Sequence, residues 1–455
     1  MSLRRSLGPL QIQLISLGGI IGSGYFLGLG ATLAENGAWA LLAYLVGGLI
    51  VWLVAMAMGE LCVAMPREGG FVTHAHELFG PKWGPVLASG VGWSYWFNWC
   101  AYIPSEMIAG GMILNGFFPQ ISIMAWATVF GLAITAVNLM NVRFFGQIES
   151  ALALLKIAAI GLFTAIGAWF WIRHFGDATQ AIVPSFSEPA ITPLSFFAAM
   201  VLVLVNFQGT ELIALSAAET KDPASSIPKA SRNVAIRIIA MYALPIAILI
   251  MTYPILRAGV EQSVFAEALS HYGFGNFGLF FKIVIVAAAL SCANSGLYGA
   301  VRAMYGLGRE RLAPVWVTRL NEQSVPARAT WLTIAMCWLV LSLYLLFEGS
   351  NFYVWLLSLS GFTGAVCWIS IAFCQIRLRK LQAKEGVQRG TLYRMPGFPI
   401  LSWLSVVLQV LCVSLVVFHP NLRTALILGL PAFLIPAGVQ WLRSCAARNY
   451  ETGGQ

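Results

Sequence analysis

The stretch that decides how this chain folds lies near its start and reads Leu17-Gly18-Gly19-Ile20-Ile21-Gly22-Ser23-Gly24-Tyr25-Phe26. Four glycines fall within seven residues of an otherwise apolar run, and each weakens an α-helix by about 1 kcal/mol relative to alanine. The pattern predicts a helix that stops and restarts near Gly22. The alternative is close packing against a neighbouring helix, because Gly24 and Gly28 form a pair of small residues on one face. A dinucleotide-binding loop is excluded, because position 27 is leucine where that motif needs glycine.

The composition around this stretch is that of an integral membrane protein. Of 455 residues, 59% are hydrophobic and 10% are charged, whereas about a quarter of the residues in a soluble domain are charged. This balance excludes a soluble enzyme, a disordered protein and a disulfide-rich secreted domain. The apolar runs are long and continuous, which argues against an outer-membrane barrel. The eight cysteines form no CxxC pair and are expected to be reduced packing residues.

About 20 apolar residues cross a bilayer as a helix, and this length divides the chain into twelve predicted spans. They lie near residues 10–34, 38–65, 84–116, 122–140, 149–172, 193–218, 234–256, 276–305, 328–347, 351–375, 399–418 and 424–443. Because the number of spans is even, both termini are expected on the same side of the membrane.

The distribution of basic residues supports this division. With the N-terminus in the cytoplasm, 22 of the 27 Lys and Arg residues fall at the cytoplasmic side, four fall outside, and Lys156 falls within a span. Cytoplasmic loops of membrane proteins are enriched in Lys and Arg. The net charge of +9 therefore reflects topology, and we assign it no role in nucleic-acid binding.

A second interruption is predicted in the sixth span, which contains Asn206-Phe207-Gln208-Gly209-Thr210-Glu211-Leu212. The first and sixth spans each open a group of five. Interruptions in corresponding spans are typical of transporters with a binding site near the membrane midplane. Freed N–H groups attract a carboxylate and freed carbonyls attract a cation, and an amino acid carries both charges.

Ionisable residues inside a membrane are costly and indicate function. Lys156 lies about two turns into the fifth span. Its side chain either snorkels to the cytoplasmic surface or is buried and exchanges a proton. Ser291, Asn294 and Ser295 of the eighth span either line the region opposite Lys156 or form hydrogen bonds between helices.

Four carboxylates also fall within predicted spans. Glu106 follows Pro104 in the third span and is a substrate-side carboxylate, a proton carrier or a partner for a buried polar group. Glu211, at the second interruption, either caps freed N–H groups or takes part in proton transfer. Glu60 and Glu149 lie towards the cytoplasmic ends of their spans and are expected to be structural.

The sequence predicts neither a metal site nor a catalytic residue. His74 and His76 are two residues apart, so on a helix they point to different faces and do not form a metal-binding pair. The motifs HExxH, Walker A and GxSxG do not occur in the sequence. We therefore do not expect an enzyme.

Several motifs together resemble bacterial amino acid permeases of the amino acid transporter family, within the amino acid–polyamine–organocation superfamily. Besides the glycine-rich first span, they are Gly59-Glu60-Leu61, Gly92-Trp93-Ser94-Tyr95-Trp96, Asn141-Val142-Arg143-Phe144-Phe145-Gly146, Phe207-Gln208-Gly209-Thr210-Glu211, Ala218-Glu219-Thr220-Lys221-Asp222-Pro223, Ile227-Pro228-Lys229-Ala230, Ser295-Gly296-Leu297-Tyr298 and Val325-Pro326. These motifs extend over nearly the whole chain.

The resemblance implies an all-α LeuT-type fold in one transmembrane domain, residues 1–455. It consists of two inverted five-helix repeats, 10–172 and 193–375, and two further helices within 399–443, with helices 1 and 6 discontinuous. The implied function is amino acid import across the cytoplasmic (inner) membrane by proton symport with alternating access, with both termini cytoplasmic. The expected partners are an amino acid, the proton and membrane lipid, without nucleic acid or an obligate protein partner. No cofactor or metal is expected, and the proton is the coupling ion.

The resemblance also implies roles for individual residues. Backbone N–H groups near Gly22 to Gly24 would bind the substrate carboxylate, and carbonyls near Ile20 and around Phe207 would meet its amino group. Lys156 matches the lysine that stands, in proton-coupled relatives, where sodium sits in sodium-coupled ones. The predicted substrate-binding residues are Ile20, Gly22, Ser23, Gly24, Tyr102, Glu106, Phe207, Gln208, Thr210 and Glu211. The predicted proton-coupling residues are Lys156, Gly19, Ser291, Asn294 and Ser295.

The expected substrate is lysine or another basic amino acid. The sixth-span motif and Trp96-Phe97-Asn98-Trp99 resemble lysine-specific permeases, in which Glu106 matches an acidic position. Aromatic amino acid permeases carry an acid there too, and Ile103-Pro104-Ser105 and Ala109-Gly110-Gly111 depart from both groups. The alternatives are a neutral amino acid permease, a proton-independent exchanger and a membrane amino acid sensor.

Overall fold

The computed structural model describes residue 14 and residues 19–139, 142–175, 191–255, 263–322, 324–347, 352–385, 393–418 and 423–452. These residues are overwhelmingly helical, and none of them lies in a β-strand. The prediction of an all-α chain is therefore confirmed for the part described. The predicted beginning of the first span, residues 10–13 and 15–18, lies outside the described residues, as do Arg4, Arg5 and Arg389.

The first half of the chain forms seven labelled helices in the described ranges. They are α1 (Ser23–Phe26), α2 (Gly28–Asn36), α3 (Ala40–Ala64), α4 (Phe71–Leu78), α5 (Gly80–Asn115), α6 (Ile123–Leu139) and α7 (Val142–Arg173). A 3-10 turn over Gly37–Trp39 joins α2 to α3. Helix α5 has a proline in its first turn, where a backbone N–H group would have no hydrogen-bond partner within the helix.

The second half continues with helices of unequal length. They are α8 (Pro193–Val205), α9 (Leu212–Ser216), α10 (Pro223–Ile238), α11 (Leu244–Thr252), α12 (Val264–His271), α13 (Gly275–Arg309), α14 (Ala327–Leu343), α15 (Phe352–Glu385), α16 (Ile400–Leu415) and α17 (Arg423–Thr452). A π-helical turn over Ile239–Ala243 joins α10 to α11. Helix α8 begins with a capping box, in which Thr192 and Ser195 satisfy each other's backbone N–H groups.

Seven helical segments within the described ranges are long and apolar enough to cross a membrane. They are Ser23–Ala64, Gln147–Arg173, Pro223–Thr252, Gly275–Arg309, Phe352–Lys384, Ile400–Phe418 and Ala425–Ala446. Three shorter apolar helices are Ile123–Asn138, Pro193–Val205 and Ala327–Leu343. Helix α5, with 36 residues, extends over about 54 Å, which exceeds the thickness of a bilayer.

The outer surface is more apolar than that of a soluble protein, and several carboxylates are buried. Carboxylates such as Glu60, Glu106, Glu149 and Glu211 are buried. Large aliphatic side chains that are mostly exposed include Ile172, Ile236, Leu346, Ile400 and Ile427. An apolar outer face suits lipid, and a buried polar group is tolerated where it finds partners. The chain is a multi-pass membrane protein.

Helices α5 and α13 pack against each other at the centre of the molecule. Helix α5 also packs against α4, α6, α15 and α17, and α13 also contacts α7. The short helix α1 lies against both α5 and α13. This arrangement brings the glycine-rich stretch into the interior, beside residues from α5 and α13.

Candidate functional site

The first interruption is the point where the chain leaves helical geometry before α1. Residues 21 and 22 form a bend, Gly22 is extended (φ −113°, ψ −167°), and α1 begins at Ser23. The backbone N–H of Ser23 donates to both carboxylate oxygens of Glu106, at 2.9 and 3.2 Å. The Ser23 hydroxyl lies 3.2 Å from the Tyr353 hydroxyl. Glu106 therefore satisfies an N–H group that the interruption leaves free.

The second interruption is a series of turns over residues 206–211, between α8 and α9. Gly209 has φ +103°, a conformation that favours glycine. Its N–H donates to both oxygens of Glu211 at 3.1 Å. Glu211 also accepts hydrogen bonds from the Tyr95 hydroxyl and the Trp368 indole, each at 3.0 Å. Of the two interpretations of Glu211, this geometry matches the capping of freed N–H groups.

The two interruptions touch each other through glycines. A Cβ atom added to Gly209 would lie 2.5 Å from the carbonyl carbon of Gly19. A Cβ added to Gly19 would lie 2.7 Å from the Leu212 side chain and 3.2 Å from the Gly209 Cα. These distances leave no room for a side chain, so the backbones approach closely only because both residues are glycine.

Three consecutive carbonyls before α1 each accept a hydrogen bond from a side chain of a different element. The carbonyl of residue 19 accepts one from the Cys292 thiol at 3.0 Å, and that of residue 20 accepts one from the Tyr242 hydroxyl at 3.3 Å. The carbonyl of residue 21 accepts one from the Lys156 ammonium at 3.0 Å. The interruption is thus tied to α13, to the π-helical turn and to α7.

Lys156 is fully buried in this structure. Its ammonium contacts the backbone of Ile21 at the first interruption instead of reaching towards the surface. This placement matches the buried-lysine interpretation and not the snorkelling one. A charged ammonium forms a stronger hydrogen bond to a carbonyl than a neutral amine does, so the strength of this contact depends on the proton.

Glu149 is also fully buried, and it lies seven residues, or two helical turns, before Lys156 on the same face of α7. Its carboxylate accepts hydrogen bonds from the Ser291 hydroxyl and from the Asn294 amide, the latter at 3.2 Å. The Asn294 oxygen accepts one from Asn138 at 2.6 Å. Two of the residues expected opposite Lys156 therefore bind Glu149. Ser295 lies against Gly19, 3.5 Å from a Cβ built there.

The remaining predicted residues surround the two interruptions. Thr210 donates from its hydroxyl to the Phe207 carbonyl at 3.0 Å. The Gln208 side chain donates to the Ser360 carbonyl of α15 at 2.6 Å and accepts from the Asn98 amide of α5 at 3.0 Å. The Tyr102 hydroxyl lies 3.3 Å from a Cβ built on Gly24.

Asn206 is a residue that our choice of site residues omitted. Its amide nitrogen donates to the Tyr44 hydroxyl at 2.6 Å, and its carbonyl accepts from Tyr242 at 2.8 Å. Its side-chain oxygen is buried without a hydrogen-bond partner in the part of the chain that is described. This oxygen faces Gly24, 2.6 Å from a Cβ built there. The sequence feature that could have identified Asn206 is its position as a polar residue at the end of an apolar run.

Polar contacts also close one end of the bundle. Arg302 and Glu219 form a buried ion pair at 2.9 Å, and the guanidinium lies 3.8 Å from the centre of the Tyr298 ring. Nearby, the His76 ring lies 3.0 Å from Glu310. The hydrogen bond that His76 donates to Glu310 raises the pKa of His76, and the same bond lowers the pKa of Glu310. These contacts join α4 and the 3-10 turn Ala217–Glu219, which follows α9, to the C-terminal part of α13.

The two histidines of α4 have separate surroundings. His74 contacts the Met65 carbonyl at 2.8 Å, and burial lowers the pKa of its imidazole to about 4. His76 faces Glu310 instead. Within the described ranges, no three residues among His, Cys, Asp and Glu come together as a metal site.

Every predicted site residue is buried in the structure. The set comprises Gly19, Ile20, Gly22, Ser23, Gly24, Tyr102, Glu106, Lys156, Phe207, Gln208, Thr210, Glu211, Ser291, Asn294 and Ser295. The region between the two interruptions therefore lies in the interior of the described part of the protein.

Comparison of the sequence with known proteins gives matches to amino acid permeases over most of the chain. A family model described as amino acid permease matches residues 11–439. The chain is 34% identical to the amino-acid permease RocC of Bacillus subtilis (strain 168), over 99% of this chain and 97% of the relative. It is 33% identical to the lysine-specific permease LysP of Escherichia coli (strain K12), over 88% and 83%. It is 29% identical to the aromatic amino acid transport protein AroP of Escherichia coli O6:H1, over 97% and 95%.

Proposed function

The chain belongs to the amino acid permease family, and from this we propose that it imports an amino acid across the cytoplasmic membrane by proton symport with alternating access. The family's members are transporters and not enzymes. The family supports amino acid transport. The proposal adds the coupling of transport to protons, the orientation of the chain in the membrane and the class of substrate.

The observation that carries the proposal is the contact between the Lys156 ammonium and the Ile21 carbonyl at 3.0 Å. Protonated Lys156 holds the first interruption against α7 through a charge-assisted hydrogen bond. A neutral amine weakens that bond and releases α1 from α7 and α13. Lys156 takes up its proton when the site is open to the outside and releases it when the site is open to the cytoplasm. The contact thereby links the proton gradient to the movement of α1.

The proposed architecture is a LeuT-type fold with twelve spans. Two inverted repeats, 10–172 and 193–375, each begin with a discontinuous helix, and two helices within 399–443 follow. The bend at residues 21 and 22 and the turns at residues 206–211 support this division. The excess of Lys and Arg at one side supports cytoplasmic termini.

The two interruptions supply groups of both polarities for an amino acid. We propose that the Ser23 N–H binds the substrate carboxylate and that the Asn206 side-chain oxygen accepts from its ammonium. In the structure Glu106 occupies the Ser23 N–H, and one N–H cannot serve two carboxylates at full strength. Substrate binding therefore displaces Glu106 from Ser23.

A displaced Glu106 is a buried carboxylate in need of a cation. The ammonium or guanidinium of a basic side chain supplies one, so lysine or another basic amino acid suits the site. A neutral substrate leaves Glu106 without such a partner. The proposed substrate class rests on this exchange of partners at Glu106.

Transport by the purified protein in liposomes tests the proposal. We expect labelled lysine to accumulate when the outside is acidic, and a protonophore to abolish the accumulation. Excess unlabelled lysine or arginine should compete, and leucine or phenylalanine should compete weakly. Uptake that needs preloaded amino acid but no pH gradient would identify an exchanger. Competition by neutral amino acids would identify a neutral permease, and binding without uptake would identify a sensor.

A further inference from the structure

A cavity with both polar and apolar lining residues lies at one end of the molecule, away from the two interruptions. It has a volume of about 540 Å³ and lies between α5, the turn after α13, and α17. Its floor is held together by two hydrogen bonds. Trp93 donates to the Leu312 carbonyl at 3.1 Å, and Ser89 donates to the Pro436 carbonyl at 3.2 Å. The cavity is therefore part of the packed structure.

Two arginines, Arg311 and Arg443, line this cavity. In the described part of the chain, the arginines that pair with a carboxylate are Arg67, Arg302, Arg309 and Arg379. Glu310, adjacent in sequence to Arg311, is turned towards His76 and Thr73 instead. Two guanidinium groups at one cavity without a carboxylate repel each other and favour an anion between them.

The backbone of Arg311 is unusual for an arginine. Its φ is +58°, and it ends α13 in the left-handed conformation that glycine normally takes at this position. The N–H of Arg311 donates to the Gly308 carbonyl at 3.2 Å, and that of Leu312 donates to Leu307 at 2.8 Å. An arginine costs stability here relative to glycine, and strain of this kind concentrates at functional sites.

The wall of the cavity beyond the arginines is apolar. Val315 and Val439 line it and are exposed. Trp316, next to Val315, is exposed as well, and tryptophan is enriched where a protein meets the membrane–water boundary. The cavity thus has a cationic end and an apolar wall, and it opens to the surroundings of the protein.

We propose that this cavity binds an anionic phospholipid. The phosphate lies between Arg311 and Arg443, and an acyl chain follows the wall at Val315 and Val439. Basic pockets between membrane helices recognise anionic headgroups in this way. A free phosphate matches the two arginines but leaves the apolar wall unused, so the lipid is the better match. The site is independent of the transport mechanism.

Thermal unfolding in detergent with added lipid tests this site. We expect dioleoylphosphatidylglycerol to raise the Tm of the wild-type protein and dioleoylphosphatidylcholine to have little effect. Arg311→Gly should weaken the apparent affinity for the anionic lipid by about tenfold, the value of a lost charge-assisted hydrogen bond. Arg443→Gln should weaken it similarly. Arg319→Gln, at an exposed arginine outside the cavity lining, is the matched control and should respond as the wild type does.

The Arg311→Gly variant separates binding from folding. Glycine suits the φ of +58° at this position, so the variant should be at least as stable as the wild type without lipid. Arg311→Gly therefore tests the lipid site even if Arg443→Gln fails to fold. Native mass spectrometry should show one phosphatidylglycerol fewer on Arg311→Gly than on the wild type. An unchanged lipid response in Arg311→Gly, an equal response to phosphatidylcholine, or full stabilisation by inorganic phosphate alone would overturn the proposal.

Discussion

The carboxylate of Glu106 on α5 accepts the backbone N–H of Ser23 at the first interruption, with distances of 2.9 and 3.2 Å to its two oxygens. The two residues are 83 positions apart in sequence. The Glu106 carboxylate thus accepts the hydrogen bond from the same N–H group that, in the proposal, binds the carboxylate of the substrate. The behaviour of Glu106 is for this reason the most direct test of how the site selects an amino acid.

We expect Glu106→Gln to weaken lysine binding by about tenfold, because a neutral amide cannot form the charge-assisted hydrogen bond to a basic side chain. Binding of a neutral amino acid should not weaken, since a glutamine displaced from Ser23 leaves no unpaired buried charge. Competition binding with lysine and leucine on the same preparation measures both. Equal weakening for the two ligands would assign Glu106 a structural or proton-carrying role.

We expect Lys156→Ala to abolish uptake driven by a pH gradient and to leave substrate binding measurable, because the proton-dependent contact with Ile21 is lost. Uptake into liposomes and a binding assay provide the two readouts. Lys282→Ala is the matched control, because Lys282 lies 5.8 Å from the centre of the Phe117 ring and far from the interruptions. Normal proton-driven uptake by Lys156→Ala would remove this lysine from the coupling mechanism.

The point where Gly209 and Gly19 approach each other should not tolerate an added methyl group. Gly209→Ala places a Cβ 2.5 Å from the Gly19 carbonyl carbon and adds strain at φ +103°, so uptake should be lost. Gly273→Ala is the control for strain alone, because φ is +86° there and nothing lies within 4 Å of the new Cβ. It should cost about 1 kcal/mol and keep transport. Similar effects of the two substitutions would show that crowding at Gly19 is unimportant.

Replacing only one member of the buried ion pair between Arg302 and Glu219 should lower the free energy of unfolding strongly. Arg302→Met leaves a buried carboxylate without its partner, and we expect the free energy of unfolding to fall by about 3–5 kcal/mol. The double variant Arg302→Met, Glu219→Leu should recover part of this loss. Arg67→Met at the exposed pair with Glu77 should cost less than about 1 kcal/mol. Additive losses in the double variant would contradict coupling between the two residues.

The contact between His76 and Glu310 should make stability depend on pH. The pKa of His76 is raised, so its contribution is complete below the unfolded value of about 6.5 and is lost as pH rises through the raised value. The pKa of Glu310 is lowered, so its contribution is complete above the unfolded value of about 4.3 and is lost on further acidification. The pair is therefore strongest near pH 5.5.

We expect His76→Gln to lower the free energy of unfolding at about pH 5.5 by less than about 1 kcal/mol, because the pair is partly exposed. At alkaline pH, above the raised pKa of His76, the difference in Tm between the variant and the wild type should be smaller. His174→Gln, at an exposed histidine directly after the end of α7, is the control for the removal of a histidine. A difference in Tm that is the same at both pH values would indicate lost packing and no loss of charge pairing.

The local features of the fold could be read from the sequence, because each depends on residues close together in the chain. Runs of apolar residues predicted helices, and the glycines from Gly19 to Gly24 and the polar group from Asn206 to Glu211 marked the two interruptions. The burial of Lys156 remained one of two alternatives. A long side chain near a helix end reaches the surface or turns inward according to its neighbours, which the sequence does not display.

The partners within the site could not be read from the sequence. Ser291 and Asn294 had two predicted roles, lining the region opposite Lys156 or forming hydrogen bonds between helices, and the structure shows both in interhelical hydrogen bonds to Glu149. Asn206 was part of a motif but was not chosen as a site residue. Its unpartnered oxygen becomes visible only when α1 lies beside it.

The sequence by itself determined that this is an all-helical, multi-pass membrane protein of the amino acid permease family with two interrupted apolar segments. Length, composition and local glycine content suffice for that, since helix formation in lipid depends on consecutive residues. Only the tertiary structure decided that Glu106 meets Ser23 across 83 residues and that Lys156 meets Ile21 across 135. Such pairs depend on how helices rotate and slide against one another, and that packing is determined by many weak contacts distributed over the whole chain.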